Sequence, residues 1–150
     1  MVKEMRQKVY GVLVIIWMMA IFMFSAQDAE ESSRMSMGVG ETVGKVFVKE
    51  YESWSEEKQL SFIDSVEFPI RKLAHASEYT LLGVLLMGAL SGRKGRAFLI
   101  GALYAASDEF HQLFVPGRSG QITDVMIDSG GVILGILIYC LFRRIIGEKR

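Results

Sequence analysis

Two short polar stretches interrupt otherwise apolar segments of this chain. The first, residues 71–79, reads RKLAHASEY, and the second, residues 107–112, reads SDEFHQ. Histidine beside carboxylates is a combination used in acid–base catalysis, and lysine or arginine nearby can bind an anion. Charged groups in an apolar, lipid-like environment are costly unless they are paired or face water. The two stretches therefore predict a functional site.

The spacing within each stretch places its polar side chains on one helix face, because residues three and four apart are neighbours on a helix. Three stripes result: Lys72, His75, Glu78 and Tyr79; Asp108 and Gln112; and Asp124 with Asp128. The least costly arrangement turns the three stripes toward each other around one polar pocket.

The catalytic hypothesis for this pocket uses the imidazole. His75 would act as a general base, Glu78 would fix its tautomer, and Asp108 or Glu109 would supply a second acid or a metal ligand. The binding hypothesis assigns phosphate or carboxylate recognition to the cations, and arginine can bind both groups bidentately. Its ligand-binding set is Lys72, Tyr79, Gln112, Arg118, Asp124 and Asp128.

Structural roles are the alternatives for several of these residues. His75 and Glu78 can form a buried hydrogen-bonded pair, and Asp124 or Asp128 can interact with the N-terminus of a helix. Arg71 can extend its charge to lipid headgroups, and His111 is expected to be an ordinary interfacial residue.

No metal ion or other cofactor is predicted from the sequence. His75, His111 and two carboxylates would suffice in composition, but their spacing matches no metal signature such as HExxH. The chain also has no glycine-rich phosphate loop, no CxxC pair and no GxSxG motif.

The elements that carry these residues are four apolar segments. They predict membrane-spanning helices at about 9–26, 72–91, 96–114 and 124–142, each close to the roughly 20 residues that a span needs. The predicted fold is an all-α, multi-pass membrane bundle in a single domain over residues 1–150. A soluble helical bundle is the alternative. The first segment is expected to be a retained anchor, a cleaved signal peptide being its alternative reading.

Charge distribution predicts the topology of the four spans. Basic residues precede the first span, lie in the turn after the second span and follow the fourth span. The connection over residues 28–70 is acidic. The basic residues are Lys3, Arg6, Lys8, Arg93, Lys94, Arg96, Arg143, Arg144, Lys149 and Arg150. The positive-inside rule then places both termini in the cytoplasm and the polar pocket on the outer side. The basic residues are membrane flanks, so no nucleic-acid partner is expected.

The acidic connection is too long for a bare turn. Met35, Val39, Val43, Val46 and Phe47 recur at helical spacing and predict an extracytoplasmic amphipathic helix, interrupted by glycines. It would lie on the membrane, cap the bundle or act as a solvated connector.

Further signals concern the ends and contacts of helices. SWSE at residues 53–56 fits a capping box that starts another helix, and Pro69 suits a break or the first turn of the next span. GVILG at residues 131–135 is a GxxxG pattern, which predicts contact between the third and fourth spans.

The two polar stretches resemble the signatures of one family, the VanZ-like membrane proteins. Residues 71–83, RKLAHASEYTLLG, resemble the first signature, and residues 108–120, DEFHQLFVPGRSG, with Asp124 and Asp128, resemble the second. FSAQ at residues 24–27, followed by Ser32 and Ser33, is also similar. The family often has asparagine where this chain has Asp128, which adds a negative charge unless that carboxyl is protonated.

The resemblance implies a small multi-pass protein of the bacterial cell envelope. The founding member is linked to low-level resistance to teicoplanin, a lipoglycopeptide that acts at the outer membrane face, but the resemblance implies no settled reaction. We expect membrane lipids as partners, and an anionic headgroup, a lipid-linked cell-wall precursor or a lipoglycopeptide as ligand. A membrane-embedded acid–base or metal-assisted enzyme and a small transporter are the alternatives. The sequence leaves the oligomeric state and any effect on teicoplanin open.

Overall fold

The computed structural model describes residues 2–147, and this part of the chain is helical with no strand. The five α-helices are α1 (Val2–Ser25), α2 (Ala29–Phe47), α3 (Glu56–Ala89), α4 (Lys94–Gln112) and α5 (Ile122–Ile145). A 3₁₀ turn, Tyr51–Ser53, precedes α3. The all-α prediction is confirmed. Lys149 and Arg150, predicted to flank the last span, lie outside the described residues.

Two of these helices, α1 and α5, are long and apolar enough to cross a membrane. Many of their large apolar side chains are exposed, including Ile15 and Leu137. Such a surface is unusual for a soluble protein, and it suggests membrane association. By the same criterion of length and composition, α3 and α4 are not candidate membrane spans within residues 2–147. These two helices carry the polar stretches.

Helix α3 is longer than the predicted second span and continuous. It begins at Glu56, with Ser55 at the N-cap position, so the predicted new helix is present but starts two residues later than a capping box on Ser53 requires. The predicted cap does not form, because Ser53 lies in the 3₁₀ turn and its hydroxyl donates to the Glu50 carbonyl. The predicted break at Pro69 is wrong, since the residue lies inside the helix. Proline costs a helix one hydrogen bond, and here the packing of α3 against its neighbours outweighs that cost.

Helix α2 packs along the first part of α3. Its N-cap is Asp28, whose carboxylate accepts a hydrogen bond from the Glu31 N–H at 2.8 Å. The predicted interruption by glycines is wrong: Gly40 and Gly44 are buried with Ser36 on the face that contacts the rest of the chain. A Cβ at Gly40 would lie 3.1 Å from Val66 of α3. The predicted apolar face of α2 is instead largely exposed, with Val39 half exposed and Phe47 80% exposed.

The core lies around α3, which contacts each of the other four helices. Tyr79, Leu82, Leu86 and Met87 of α3 are buried against Val132 and Ile136 of α5, among others. The predicted contact between the third and fourth spans, α4 and α5, is confirmed, but Gly131 and Gly135 themselves face α3. A Cβ at Gly131 would lie 2.5 Å from the Ala76 carbonyl oxygen, and one at Gly135 would overlap the Thr80 carbonyl. Helix α4 does touch α5, through Gly101 and Val132.

Candidate functional site

The three polar stripes meet at one end of the bundle. The middle of α3, the last turn of α4 and the first turns of α5 bring His75, Asp108 and Asp128 together there. One potential ligand atom of each lies within 4.8 Å of the corresponding atoms of the other two. His75 Nδ1 lies 4.0 Å from Asp128 Oδ1. We call these three residues the central cluster.

The central cluster is buried and has few hydrogen-bond partners. Asp108 is 3% exposed and Asp128 is 1% exposed. Within residues 2–147, His75 Nδ1 and both carboxylate oxygens of Asp128 have no hydrogen-bond partner, and the Asp108 carboxylate has only the hydroxyl groups of Ser25 and Tyr79 beside it. Buried polar atoms are hydrogen-bonded in nearly all native structures, so several unpaired ones at one point mark a special site.

A shell of ion pairs lies beside the central cluster. Lys72 pairs with Asp124, and both side chains are mostly buried. Arg71 is 3.5 Å from Glu67, one helical turn earlier on α3. Asp124 is thus paired with a cation of another helix. Asp128, one turn further along α5, makes no ion pair with a lysine or arginine in the described range.

Arg118 joins the polar end from the turn between α4 and α5. Its Nε donates a hydrogen bond to the Gln27 carbonyl at 3.2 Å, and its side chain is half-buried. Burial and the nearby positive charge of Arg71 lower the pKa of the Arg118 guanidinium. Two arginines from different elements therefore lie close enough to repel each other, and an anion between them would relieve that repulsion.

Two further predicted site residues hold the structure together. Glu109 accepts a hydrogen bond through Oε2 from the Gln121 N–H at 2.7 Å, which connects the end of α4 to the start of α5. Gln112 donates to Ser25 Oγ at 3.2 Å and so connects α4 to the end of α1. Both side chains are buried. These contacts give each of them a structural role.

The predicted pair of His75 with Glu78 does not form among the described residues. His75 instead approaches Asp128. The Glu78 carbonyl accepts a hydrogen bond from Trp17 Nε1 at 2.9 Å, and the Glu78 carboxylate lies where it interacts with Asp108. The second histidine, His111, stacks on Phe22 with ring centroids 4.6 Å apart, and it is not a member of the central cluster.

Tyr79 is fully buried, and its ring lies 6.2 Å from that of Tyr104. Sequence reasoning missed Tyr104, whose hydroxyl donates to the Met18 carbonyl at 2.6 Å, and the supporting roles of Ser25 and Trp17. Tyr104 precedes Asp108 by four residues, so its helical spacing could have placed it on the same face.

The opposite end of the bundle is basic. A cavity of about 1120 Å³ lies there, and its lining includes Lys3, Arg6, Lys94, Arg143 and Arg144. The start of α1, the turn between α3 and α4, and the end of α5 therefore lie together. A hydrogen bond between Gln7 and Ser91 also joins the first two of these segments.

Comparison with known proteins identifies the family. Neither the curated proteins nor the solved structures contain a match to this chain. A family model described as VanZ/LLP1 matches residues 10–143, which include all of the predicted site residues. The resemblance read from the two polar stretches is thereby confirmed, and this chain belongs to the VanZ/LLP1 family.

Proposed function

We propose that this chain is a four-span membrane protein that binds the anionic headgroup of a lipid, or of a lipid-linked cell-wall precursor, at the polar end of its bundle. The second and third spans would be formed by α3 from about residue 72 and by α4. Both termini would be cytoplasmic, and the polar end would face outward.

The clustering of basic residues supports this orientation. The helices bring Lys3, Lys94 and Arg144 to one end, around the large cavity. Lysine and arginine accumulate on the cytoplasmic side of membrane proteins. The polar end, together with α2 and the first part of α3, lies at the other end of the bundle and carries most of the acidic residues.

The observation that carries the proposed ligand is the convergence of three cations on the polar end. Arg118, Lys72 and Arg71 all exert their positive charge on His75. Arg118 also experiences the charge of Arg71. A phosphate group placed among them would form charge-assisted hydrogen bonds, bidentate ones with arginine. The predicted ligand-binding residues Tyr79, Gln112 and Asp128 are buried, and we propose that they support this end from within the bundle.

A binding experiment with purified protein in detergent tests the proposal. Short-chain phosphatidylglycerol serves as the anionic probe and phosphatidylcholine of the same chain length as the zwitterionic control. We expect phosphatidylglycerol to bind more tightly. Arg118→Gln should weaken that binding by at least about tenfold, since a charge-assisted contact contributes roughly 1.5–3 kcal/mol.

The matched control is Arg96→Gln, which removes an arginine at the opposite end of the bundle. It should leave the affinity for phosphatidylglycerol unchanged. Equal affinity for the two lipids would contradict the proposal. Loss of binding in Arg96→Gln but not in Arg118→Gln would move the anion site to the opposite, basic end of the bundle.

The same variants test a connection to glycopeptide tolerance. In cells that express the parent chain, we expect the teicoplanin concentration that inhibits growth to rise, and Arg118→Gln to abolish the rise while the protein level in the membrane stays equal. If Arg118→Gln raises the inhibitory teicoplanin concentration as much as the parent chain does, headgroup binding is not the cause of the tolerance. A diphosphate-linked wall precursor is distinguished from a free phospholipid by competing each against the labelled probe.

A membrane-embedded acid–base or metal-assisted enzyme is the second candidate, and the 4.0 Å approach of His75 to Asp128 favours it. A histidine held by a carboxylate is a common general base. In this case His75→Ala and Asp108→Asn would abolish turnover of a labelled lipid-linked substrate but keep the binding of phosphatidylglycerol. If the parent chain converts no labelled substrate, the enzyme candidate fails and the binding proposal stands.

A further inference from the structure

The central cluster has the composition and placement of a metal site. It comprises one imidazole and two carboxylates, contributed by α3, α4 and α5. The side chains of His75 and Asp128 are 13% and 1% exposed, and Asp108 is 3% exposed as a residue. The potential ligand atoms therefore point into the protein interior and not into solvent.

Unpaired atoms at the same point give an independent reason to expect a cation. The Nδ1 atom of His75 and both carboxylate oxygens of Asp128 make no hydrogen bond within residues 2–147, and the Asp108 carboxylate meets only the hydroxyl groups of Ser25 and Tyr79. Two buried carboxylates destabilise each other and lose their hydration, unless a cation or a proton neutralises them. A divalent ion compensates both charges at once.

The neighbouring cations do not fulfil this role. Lys72 is paired with Asp124, and the Nε group of Arg118 is bonded to the Gln27 carbonyl. Among the described residues, no lysine or arginine forms an ion pair with Asp108 or Asp128. Within residues 2–147, the Asp128 carboxylate is thus left without a compensating cation, and the Asp108 carboxylate is compensated only in part, by the hydroxyl groups of Ser25 and Tyr79 and by the charge of Arg118.

The distances suit a metal ion after a small adjustment. Two ligand atoms bound to zinc at about 2.0–2.2 Å are at most about 4.4 Å apart. The atoms of the central cluster lie within 4.8 Å of one another. Side-chain rotations that move them by less than about 1 Å are sufficient, because small torsional changes within a rotamer cost little.

We propose that His75, Asp108 and Asp128 bind one divalent transition-metal ion, Zn²⁺ or Mn²⁺. The imidazole favours Zn²⁺ over Mg²⁺ and Ca²⁺, which prefer oxygen ligands alone, and the two carboxylates also suit Mn²⁺. Three protein ligands leave a coordination position open. This position can accept water or an oxygen of a bound phosphate, and in the second case the site would add to the headgroup binding proposed above. Metal binding itself does not depend on that function.

Metal binding is measured directly on the full chain, purified in detergent and treated with a chelator. Zn²⁺ is titrated in competition with a chromophoric chelator, and Mn²⁺ is titrated by electron paramagnetic resonance. We expect one ion per chain. Asp128→Asn and His75→Ala should each reduce the affinity by at least about tenfold. Zn²⁺ should raise the thermal midpoint of the parent chain but not that of Asp128→Asn.

The matched control is His111→Ala, which removes the other histidine of the chain and should keep parental affinity. X-ray absorption of the Zn²⁺-loaded parent should show nitrogen and oxygen ligands with one imidazole. This spectrum decides the question even if a variant does not fold. The proposal is overturned if the folded parent binds neither ion in a stoichiometric amount, if Mg²⁺ binds more tightly, or if His111→Ala loses binding as His75→Ala does.

Discussion

Asp124 and Asp128 lie one turn apart on α5 but have different surroundings. Asp124 is paired with Lys72, whereas Asp128 is almost completely buried beside His75. Helical spacing placed both on one polar face. It could not tell which acid has a cationic partner, because that depends on how α5 is rotated and shifted against α3. The same limit explains the wrong pairing of His75 with Glu78.

Glu109 was a candidate catalytic acid, but its contact with the Gln121 N–H favours a structural role. We predict that Glu109→Ala lowers the free energy of unfolding by about 1–2 kcal/mol, because it leaves a partly buried N–H group without an acceptor. Thermal unfolding of the purified protein in detergent measures this.

Glu109→Gln is the control, since its amide oxygen can still accept the hydrogen bond. It should unfold close to the parent midpoint and keep phosphatidylglycerol binding. If Glu109→Gln loses binding or turnover while its stability is normal, the carboxylate has a functional role and the structural interpretation is wrong.

At the level of helices, the contact between α3 and α5 sets the geometry of the site. Gly131 follows Asp128 by three residues, and it packs on the carbonyl of Ala76, the residue after His75. The close approach of the two backbones is therefore the reason why His75 can reach Asp128. Small residues allow such approaches between helices in lipid.

We predict that Gly131→Ala destabilises the protein by about 1–3 kcal/mol, because the new methyl group would overlap the backbone of α3. It should also weaken metal binding by separating His75 from Asp128. The measurements are thermal unfolding and the Zn²⁺ titration.

Gly130→Ala is the adjacent control, because a Cβ at Gly130 meets no atom within 4 Å. Alanine also has the higher helix propensity, so this variant should be as stable as the parent or more stable. Equal effects of the two substitutions would show that packing on α3 is not the cause.

The sequence predicted the positions of the helices and their polar faces better than it predicted the contacts between helices. Apolar segments located α4, α5 and the end of α1 within a few residues, whereas α1 begins well before the predicted span. Pro69 and the glycines of α2 were interpreted through local helix propensity, which tertiary packing overrides at both places. The GxxxG motif correctly indicated a close helix contact, but a motif on one helix does not identify its partner.

For the whole molecule, the segregation of charge leads to a prediction about topology. In a Cys140→Ala background, which removes the single native cysteine, a membrane-impermeant thiol reagent should label Glu52→Cys in intact cells. Arg93→Cys should react only after the membrane is opened. The positive-inside distribution of the basic residues is the physical reason.

Both introduced cysteines lie at exposed positions, so a difference in labelling would reflect the side of the membrane and not burial. Labelling of Arg93→Cys in intact cells would contradict the proposed orientation. Labelling of both in intact cells would contradict the four-span arrangement.

The continuity of α3 has a mechanical consequence. Its 34 residues extend about 51 Å, whereas the hydrocarbon core of a bilayer is about 30 Å thick. In the proposed orientation, the part that projects outward packs with α2, and the same helix carries Lys72 and His75. No loop lies between them to absorb movement. In that orientation, a force on the exposed apolar face of α2 would pass along α3 to the site, and Pro69, whose nitrogen cannot donate a backbone hydrogen bond, would be the point at which α3 bends most easily.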